Sequence, residues 1–224
     1  MTTKISQEEL IIRIASVVGH ELRNPLAVIG NSSYFVKTAL AGSKLPNPKI
    51  ERHLGIIASE IARADRLIAD MLFFSRPLEL QSTPTDLSMI VEEALSLATI
   101  PPGVKVKREK PKTEIAVHAD MKVLGDALRR VVDNAVEAMS GSGSLTISWG
   151  ARGGAPFVEV RDSGTGIQEE ALPVIFEPFF TTKPRGLGLG LAVARKAAAV
   201  HKGAIEAKNL PGNGAVVTLT LPKS

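Results

Sequence analysis

The sequence predicts two regions of different class. Residues 1–78 read as an antiparallel two-helix hairpin, and residues 79–224 as an α/β sandwich with helices on one face of a mixed sheet. Two observations carry this. In the first region apolar residues recur at alternating steps of three and four, which is the spacing of one helix face. From Pro84 onward, short strand-like runs alternate with helical stretches, the pattern of a layered α+β domain. Between the two lies "RPLELQSTPTD", Arg76 to Asp86, rich in breakers.

The first stripe runs Ile11, Ala15, Val18, Leu22, Leu26, Ile29, Ser33, Val36, Leu40. "AGSKLPNP", Ala41 to Pro48, holds Gly, two prolines and Asn and reads as a turn. The second stripe runs Ile50, Leu54, Ile57, Ile61, Ala64, Ile68, Met71, again with heptad-like steps. A lone hairpin cannot bury both stripes well. Pairing with a second copy would give a four-helix bundle, and packing on the rest of the same chain is the alternative. In the second region Val104–Glu109, Glu114–Ala119, Leu145–Gly150, Phe157–Asp162, Ala204–Asn209 and Ala215–Leu221 read as strands. Asp86–Ala98, Asp120–Met139 and Leu187–Val200 read as helices, with Asp86 and Asp120 as N-caps.

Composition narrows the classes. The chain has no cysteine, so disulfide and thiolate chemistry drop out and a reducing, cytoplasmic setting is expected. No apolar run approaches the roughly 20 residues of a membrane span, and no signal peptide is expected. The net charge of +4 tolerates a phosphate-bearing ligand without demanding one. No nucleic-acid partner is expected.

"HELRNP", His20 to Pro25, begins like a zinc-protease helix but carries Asn24 where the second His should stand. Taking Leu22 as the stripe centre, His20 and Asn24 each lie about 160° away, on opposite sides and within roughly 40° of each other on the outward face. Such an imidazole, with a neighbouring carboxylate to accept the proton on one ring nitrogen, can be a nucleophile. Pro25 removes the partner of the Glu21 carbonyl and predicts a bend there. The plain alternative is a solvated histidine beside a kink.

Further stretches bear on that choice. "DNAVEAM" (Asp133 to Met139) ends a helix, "DSGTGI" (Asp162 to Ile167) follows a strand, and "GLGLGL" (Gly186 to Leu191) opens a helix. "FEPFFTTK" (Phe176 to Lys183) lies between the last two. Asp162 can accept a hydrogen bond from an adenine amino group. Gly164 and Gly166 allow close backbone approach. Gly186, Gly188 and Gly190 leave N–H groups at a helix N-terminus, where phosphate is favoured. The Asn134 carbonyl suits Mg²⁺, and Lys183 can neutralise phosphate. Each feature alone is weak; neither a P-loop nor a Rossmann fingerprint is present.

The ordered set resembles the catalytic core of a bacterial two-component sensor histidine kinase. "GHELRNPL" is similar to the phospho-acceptor box, "DNAVEAM" to the asparagine box, "DSGTGI" and "GLGLGL" to the two glycine boxes, and "FEPFF" to the phenylalanine box. The short "FFTTK" segment resembles the nitrogen-regulator type. The resemblance implies a dimeric phosphotransfer hairpin followed by a gyrase-like ATP-binding domain. It implies phosphorylation of His20 by ATP, transfer to an aspartate on a response regulator receiver domain, and an upstream sensor domain or protein. It also implies Glu21 as base or orienting group, Asn24 as a support for regulator dephosphorylation, Asn134 as Mg²⁺ ligand and Asp162 as adenine acceptor. Thr182, Lys183, Gly186, Gly188, Leu189 and Gly190 join Gly164 and Gly166 around the nucleotide. Two positions depart from the pattern: Arg130 stands where a second Asn is common, and Ala215 where Thr often begins the last strand. A serine kinase or ATPase on the same fold, or a scaffold without catalysis, are the competing readings.

Overall fold

The computed structural model describes residues 7–40, 48–75, 78–183 and 187–223, leaving aside the side chains of residues 7–21, 23 and 75. The chain divides into two compact units, Met1–Pro77 and Leu78–Ser224. No helix among the described residues is long and apolar enough to cross a membrane.

The first unit is helical. α1 (Gln7–Leu40) and α2 (Pro48–Ser75) pack on each other. The predicted turn at residues 41–47 lies outside the described residues, as do the side chains of Ile11, Ala15 and Val18. α1 continues through Pro25, which is buried. The seam between the helices follows the predicted stripes only in part: Ile50 is buried and Ile29, Val36, Ile57, Ala64 and Met71 are half-buried. It runs through Pro25, Ser32 and Phe35 of α1 and Ile50, His53, Leu67 and Phe74 of α2. Phe35 stacks on His53 with ring centroids 4.0 Å apart. Alternate members of the predicted lines remain open instead: Leu26 is 61% exposed, and Leu40, Leu54, Ile61 and Ile68 are exposed too. One antiparallel neighbour covers only part of a wide apolar face, and the rest is left to solvent within a single chain.

Among its described residues the second unit has three helices, α3 (Leu87–Leu97), α4 (Met121–Ala138) and α5 (Gly190–Val200), and two sheets. The main sheet contains β2 (Gly103–Glu109), β4 (Ser142–Arg152), β5 (Ala155–Asp162), β6 (Ala204–Asn209) and β7 (Ala215–Thr220), in the order β2-β4-β5-β7-β6. β2 runs parallel to β4 and the other pairs are antiparallel, so the sheet is mixed as expected. Val91 and Ala94 of α3, Leu128 and Val132 of α4, and Ile147, Val158 and Val160 of the sheet meet in the core. α4 lies between α3 and α5.

A second, two-stranded sheet pairs β1 (Thr83–Asp86) with β3 (Ala116–Ala119). β1 falls in the stretch read as a boundary. Pro84 hid it, because proline weakens a strand signal, yet a strand with a single neighbour tolerates the missing N–H. β3 is shorter than expected at its start, and α5 begins at Gly190 rather than Leu187.

Both predicted caps form. Asp120 accepts from Lys122 N (3.1 Å) and Val123 N (3.2 Å) at the head of α4 and from Gln81 N at 2.9 Å. Its own N–H donates to Nε2 of buried His201 at 3.0 Å, and His201 Nδ1–H donates to Ala197 O at 2.8 Å. The start of α4 and the end of α5 are thereby tied together. Asp86 accepts from Ser88 N (2.7 Å), the Ser88 hydroxyl and Ile115 N (3.0 Å). Burial opposes its charge, but these donors outweigh it and hold its pKa below the usual value. A depressed folded pKa stabilises above the unfolded value and is lost as pH falls through the folded one. Asp86→Ala is therefore expected to lower unfolding free energy by about 1 kcal/mol at pH 7. The difference should shrink once pH drops below about 3.9. Urea unfolding at several pH values checks this; a difference that does not vary with pH would contradict it.

Candidate functional site

The site in the second unit begins with strand alternation. In β5, Val158, Val160 and Asp162 share one face, and the two valines are core residues. Asp162 extends that line to the strand end and is buried, at 8% exposure. Its Oδ1 accepts from Gly164 N at 2.8 Å, and the backbone N–H of Ala215 also serves it. Burial nonetheless dominates and raises its pKa. A carboxylate held this way can accept from a ligand's amino group with little competition from water.

The loop after Asp162 lies against the end of α4. A Cβ on Gly164 would come 2.6 Å from the Ala138 carbonyl oxygen, so the close approach requires glycine. Asn209, at the end of β6, accepts from Ile167 N and donates to Ile167 O, both at 2.7 Å, and so clamps the loop. Gly166 has a φ of 75° and lies beside Asn209.

The later stretches interlock. Phe179 N–H donates to Gly188 O at 3.0 Å. Gly188 has a φ of 69°, and a Cβ there would come 2.4 Å from Phe180 O, so both space and backbone exclude other residues. Glu177 accepts two hydrogen bonds from Arg195 of α5, at 2.7 and 3.2 Å. Leu189 is buried at the head of α5 and provides no side-chain cap, while Gly190 opens the helix with free space around its Cα. The first-turn N–H groups of α5 thus suit an anion. Gly186 lies outside the described residues.

On α4, Asn134 is half-buried. Its Oδ1 accepts from Lys183 Nζ at 2.8 Å, and the same ammonium pairs with Glu137. A cation is therefore already held at the oxygen expected to bind Mg²⁺, which fits a hard ion. Among the described residues no group of three or more His, Cys, Asp or Glu side chains could hold a metal alone. A divalent ion here would draw further oxygens from its ligand and from water. Arg130 donates to Asp126 Oδ2 at 2.7 Å, one turn back along α4, and Arg129 takes the other oxygen. Thr182 and Lys183 are exposed. In the first unit, His20 and Glu21 have helical backbone and their side chains lie outside the described residues; Asn24 is exposed, as its helical position predicts.

A model of the His Kinase A phospho-acceptor domain matches residues 11–79. One of the histidine kinase-, DNA gyrase B- and HSP90-like ATPases matches residues 119–224. Signal transduction histidine-protein kinase AtoS of Escherichia coli (strain K12) is 34% identical over 92% of this chain and 34% of its own. The solved catalytic domain of histidine kinase ThkA is 31% identical over 65% of this chain and 97% of its own, with a TM-score of 0.57. ThkA in complex with response regulator protein TrrA is 28% identical over 95% of this chain and 61% of its own, with a TM-score of 0.73. The chain belongs to the sensor histidine kinases. It spans between a third and a half of the length of the curated relatives it matches, such as AtoS and the ZraS sensors.

Within this kinase core, sequence reasoning missed Asn209, Gly214, Glu137 and the Glu177–Arg195 pair. Gly214 has its Cα against the Asp162 carbonyl, where a Cβ would come 2.0 Å from that oxygen. "GNG" before the last strand was its only signal. Asn209 and Glu137 lacked even that, because their partners are 42 and 46 residues away. Ala215 sits beside the Asp162 carboxylate, so the departure from Thr removes a hydroxyl at that position.

Asp162→Asn is expected to weaken nucleotide binding by about 1.5–3 kcal/mol, as for a hydrogen bond to a charged group. The empty protein should not lose stability. A carboxyl whose folded pKa is raised penalises the fold above that pKa and ceases to do so below the unfolded value. Titration calorimetry and thermal unfolding together check this. Unchanged affinity, or a large fall in the midpoint of the empty protein, would refute it.

Proposed function

We propose that this chain is an ATP-dependent protein-histidine kinase: it phosphorylates itself on His20 and passes the phosphoryl group to an aspartate on a response regulator receiver domain. The observation that carries this is the union of two parts in one chain. A phospho-acceptor helix bears His20 within the match at residues 11–79. An ATPase-type unit bears a buried Asp162, a cation-binding Asn134 and an uncapped α5. ThkA, a relative of this chain, was solved in complex with response regulator protein TrrA, which supports the partner class.

In this reading Asp162 accepts from the adenine amino group, and Gly164 and Gly166 let the base seat against the backbone. Thr182, Lys183, Gly186, Gly188, Leu189 and Gly190 surround the phosphates, using N–H donors and one ammonium. Asn134 would hold Mg²⁺, which would supply positive charge to offset that of the phosphates. The unprotonated nitrogen of His20 attacks the γ-phosphorus. A P–N bond forms, the bond to the β–γ bridging oxygen breaks, and ADP leaves. Glu21 orients the imidazole and offsets the charge of its remaining N–H. In the second step a receiver carboxylate oxygen attacks the phosphorus and the P–N bond breaks.

The exposed apolar line of Leu26, Leu40, Leu54, Ile61 and Ile68 supports a homodimer through the hairpin, giving a four-helix bundle. An upstream sensor domain or protein would supply the signal, and the cytoplasm is the compartment that provides ATP and reduced conditions. Asn24 lies on the outward helix face, where its amide can hold a water but cannot attack.

His20→Gln is expected to abolish acid-labile phosphorylation from labelled ATP and leave nucleotide binding intact; acid-labile label on the variant would overturn the assignment. Asn24→Ala should preserve autophosphorylation and slow decay of the phosphorylated regulator, by about 100-fold if water positioning is its role. A decay time course with autophosphorylation measured in parallel checks it, and equal decay rates would remove Asn24 from the site.

A further inference from the structure

Asn134 and Glu137 stand three residues apart on α4, so their side chains leave the same helix face. Both point oxygen at one atom. Lys183 Nζ is 2.8 Å from Asn134 Oδ1 and is also hydrogen-bonded to Glu137 Oε2. The lysine comes from a segment 46 residues further along the chain. An ammonium is a compact, strongly hydrated point charge. Two oxygens of one helix turn that converge on it present the same field to any small hard cation.

The two oxygens differ in charge. The amide of Asn134 is neutral, so alone it would leave a divalent ion dependent on the phosphates of its ligand. The carboxylate of Glu137 is exposed, and its only ion pair among the described contacts is with Lys183. Mg²⁺ takes about six oxygens, commonly one or two from protein and the rest from phosphate and water. We propose that Glu137 is the second protein oxygen ligand of the divalent-cation site, and that Lys183 occupies the cation position until a metal–nucleotide complex replaces it. This rests on the ATP reading above.

The exchange is electrostatically consistent. When the metal enters, Glu137 keeps a positive neighbour and the released ammonium is free to meet phosphate. If nucleotide enters without metal and draws Lys183 away, Glu137 is left facing anionic phosphate with no cation between them. That repulsion makes binding depend on metal. Glu137 therefore sets how strongly Mg²⁺ enhances nucleotide affinity, beyond anything Asn134 contributes.

The test is calorimetric titration of the whole chain with a non-hydrolysable ATP analogue, in EDTA and in Mg²⁺. The Mg²⁺ enhancement seen in the wild type should fall about tenfold or more in Glu137→Gln, the loss that removing even an outer partner causes at many metal sites. Affinity in EDTA should stay level or rise. As a second measurement, Mn²⁺ binding without nucleotide is read by electron paramagnetic resonance. Lys183→Met should bind Mn²⁺ more tightly than wild type, and the added Glu137→Gln should remove that gain. An unchanged enhancement in Glu137→Gln overturns the proposal, as does an equal loss in EDTA and Mg²⁺, or a Lys183→Met variant that gains no Mn²⁺ affinity. If the wild-type chain binds no nucleotide under either condition, the ATP reading fails and takes this one with it. Normal wild-type binding with an unaltered ratio in the variant sinks Glu137 alone.

Discussion

The second unit is organised around one buried carboxylate. Strand β5 alternates its side chains, and the face that gives Val158 and Val160 to the core also gives Asp162. Burying a charge is unfavourable unless donors surround it. Here the donors are backbone N–H groups from the following glycine loop and from the start of β7. Those N–H groups reach the carboxylate only because the chain comes unusually close at Gly164 and Gly214, where a side chain would strike the backbone. Burial still outweighs these donors and raises the Asp162 pKa, and a ligand donor could favour the charged form further.

α4 carries the second requirement. One side of it, with Leu124, Leu128, Val131 and Val132, is buried in the core. The other side presents Asp126, Arg130, Asn134 and Glu137 at helical spacing. Arg130 is neutralised one turn away by Asp126, so the substitution of a second Asn introduces an ion pair along the helix. Lys183 ties this face to the segment that also carries Phe179 and Gly188. Glu177 and Arg195 fasten that segment to α5. Cation, glycine turn and helix N-terminus are thereby linked through contacts that span much of the unit's sequence.

The hairpin illustrates a limit of periodicity. Stripes of three and four identify an apolar face but not which neighbour covers which part of it. Within one chain the seam falls on Pro25, Ser32, Leu67 and Phe74, while Leu26, Leu54 and Ile61 stay open. Ser32 is buried although it is polar, and Leu26 is exposed although it is not. A helix that faces two partners must spread its apolar residues more widely than one that faces a single partner.

Local signals were enough to read the class, the order of nearly all elements and the ordered motifs from the amino acids. Hydrophobic period, Asp caps and glycine clusters act over a few residues, so they survive without a fold. The caps at Asp86 and Asp120 and the strand leading into Asp162 are of this kind. β1 was hidden because its proline contradicts its pairing locally and only β3 justifies it. The clamp at Asn209, the Glu177–Arg195 pair and the convergence of Asn134 and Glu137 on Lys183 had no local signal that could reveal them, and the close approach at Gly214 had only the glycines before the last strand. These contacts join residues that are distant along the chain. Their geometry exists only after the sheet and helices have packed, and that packing fixes the distances on which hydrogen bonding and charge pairing depend.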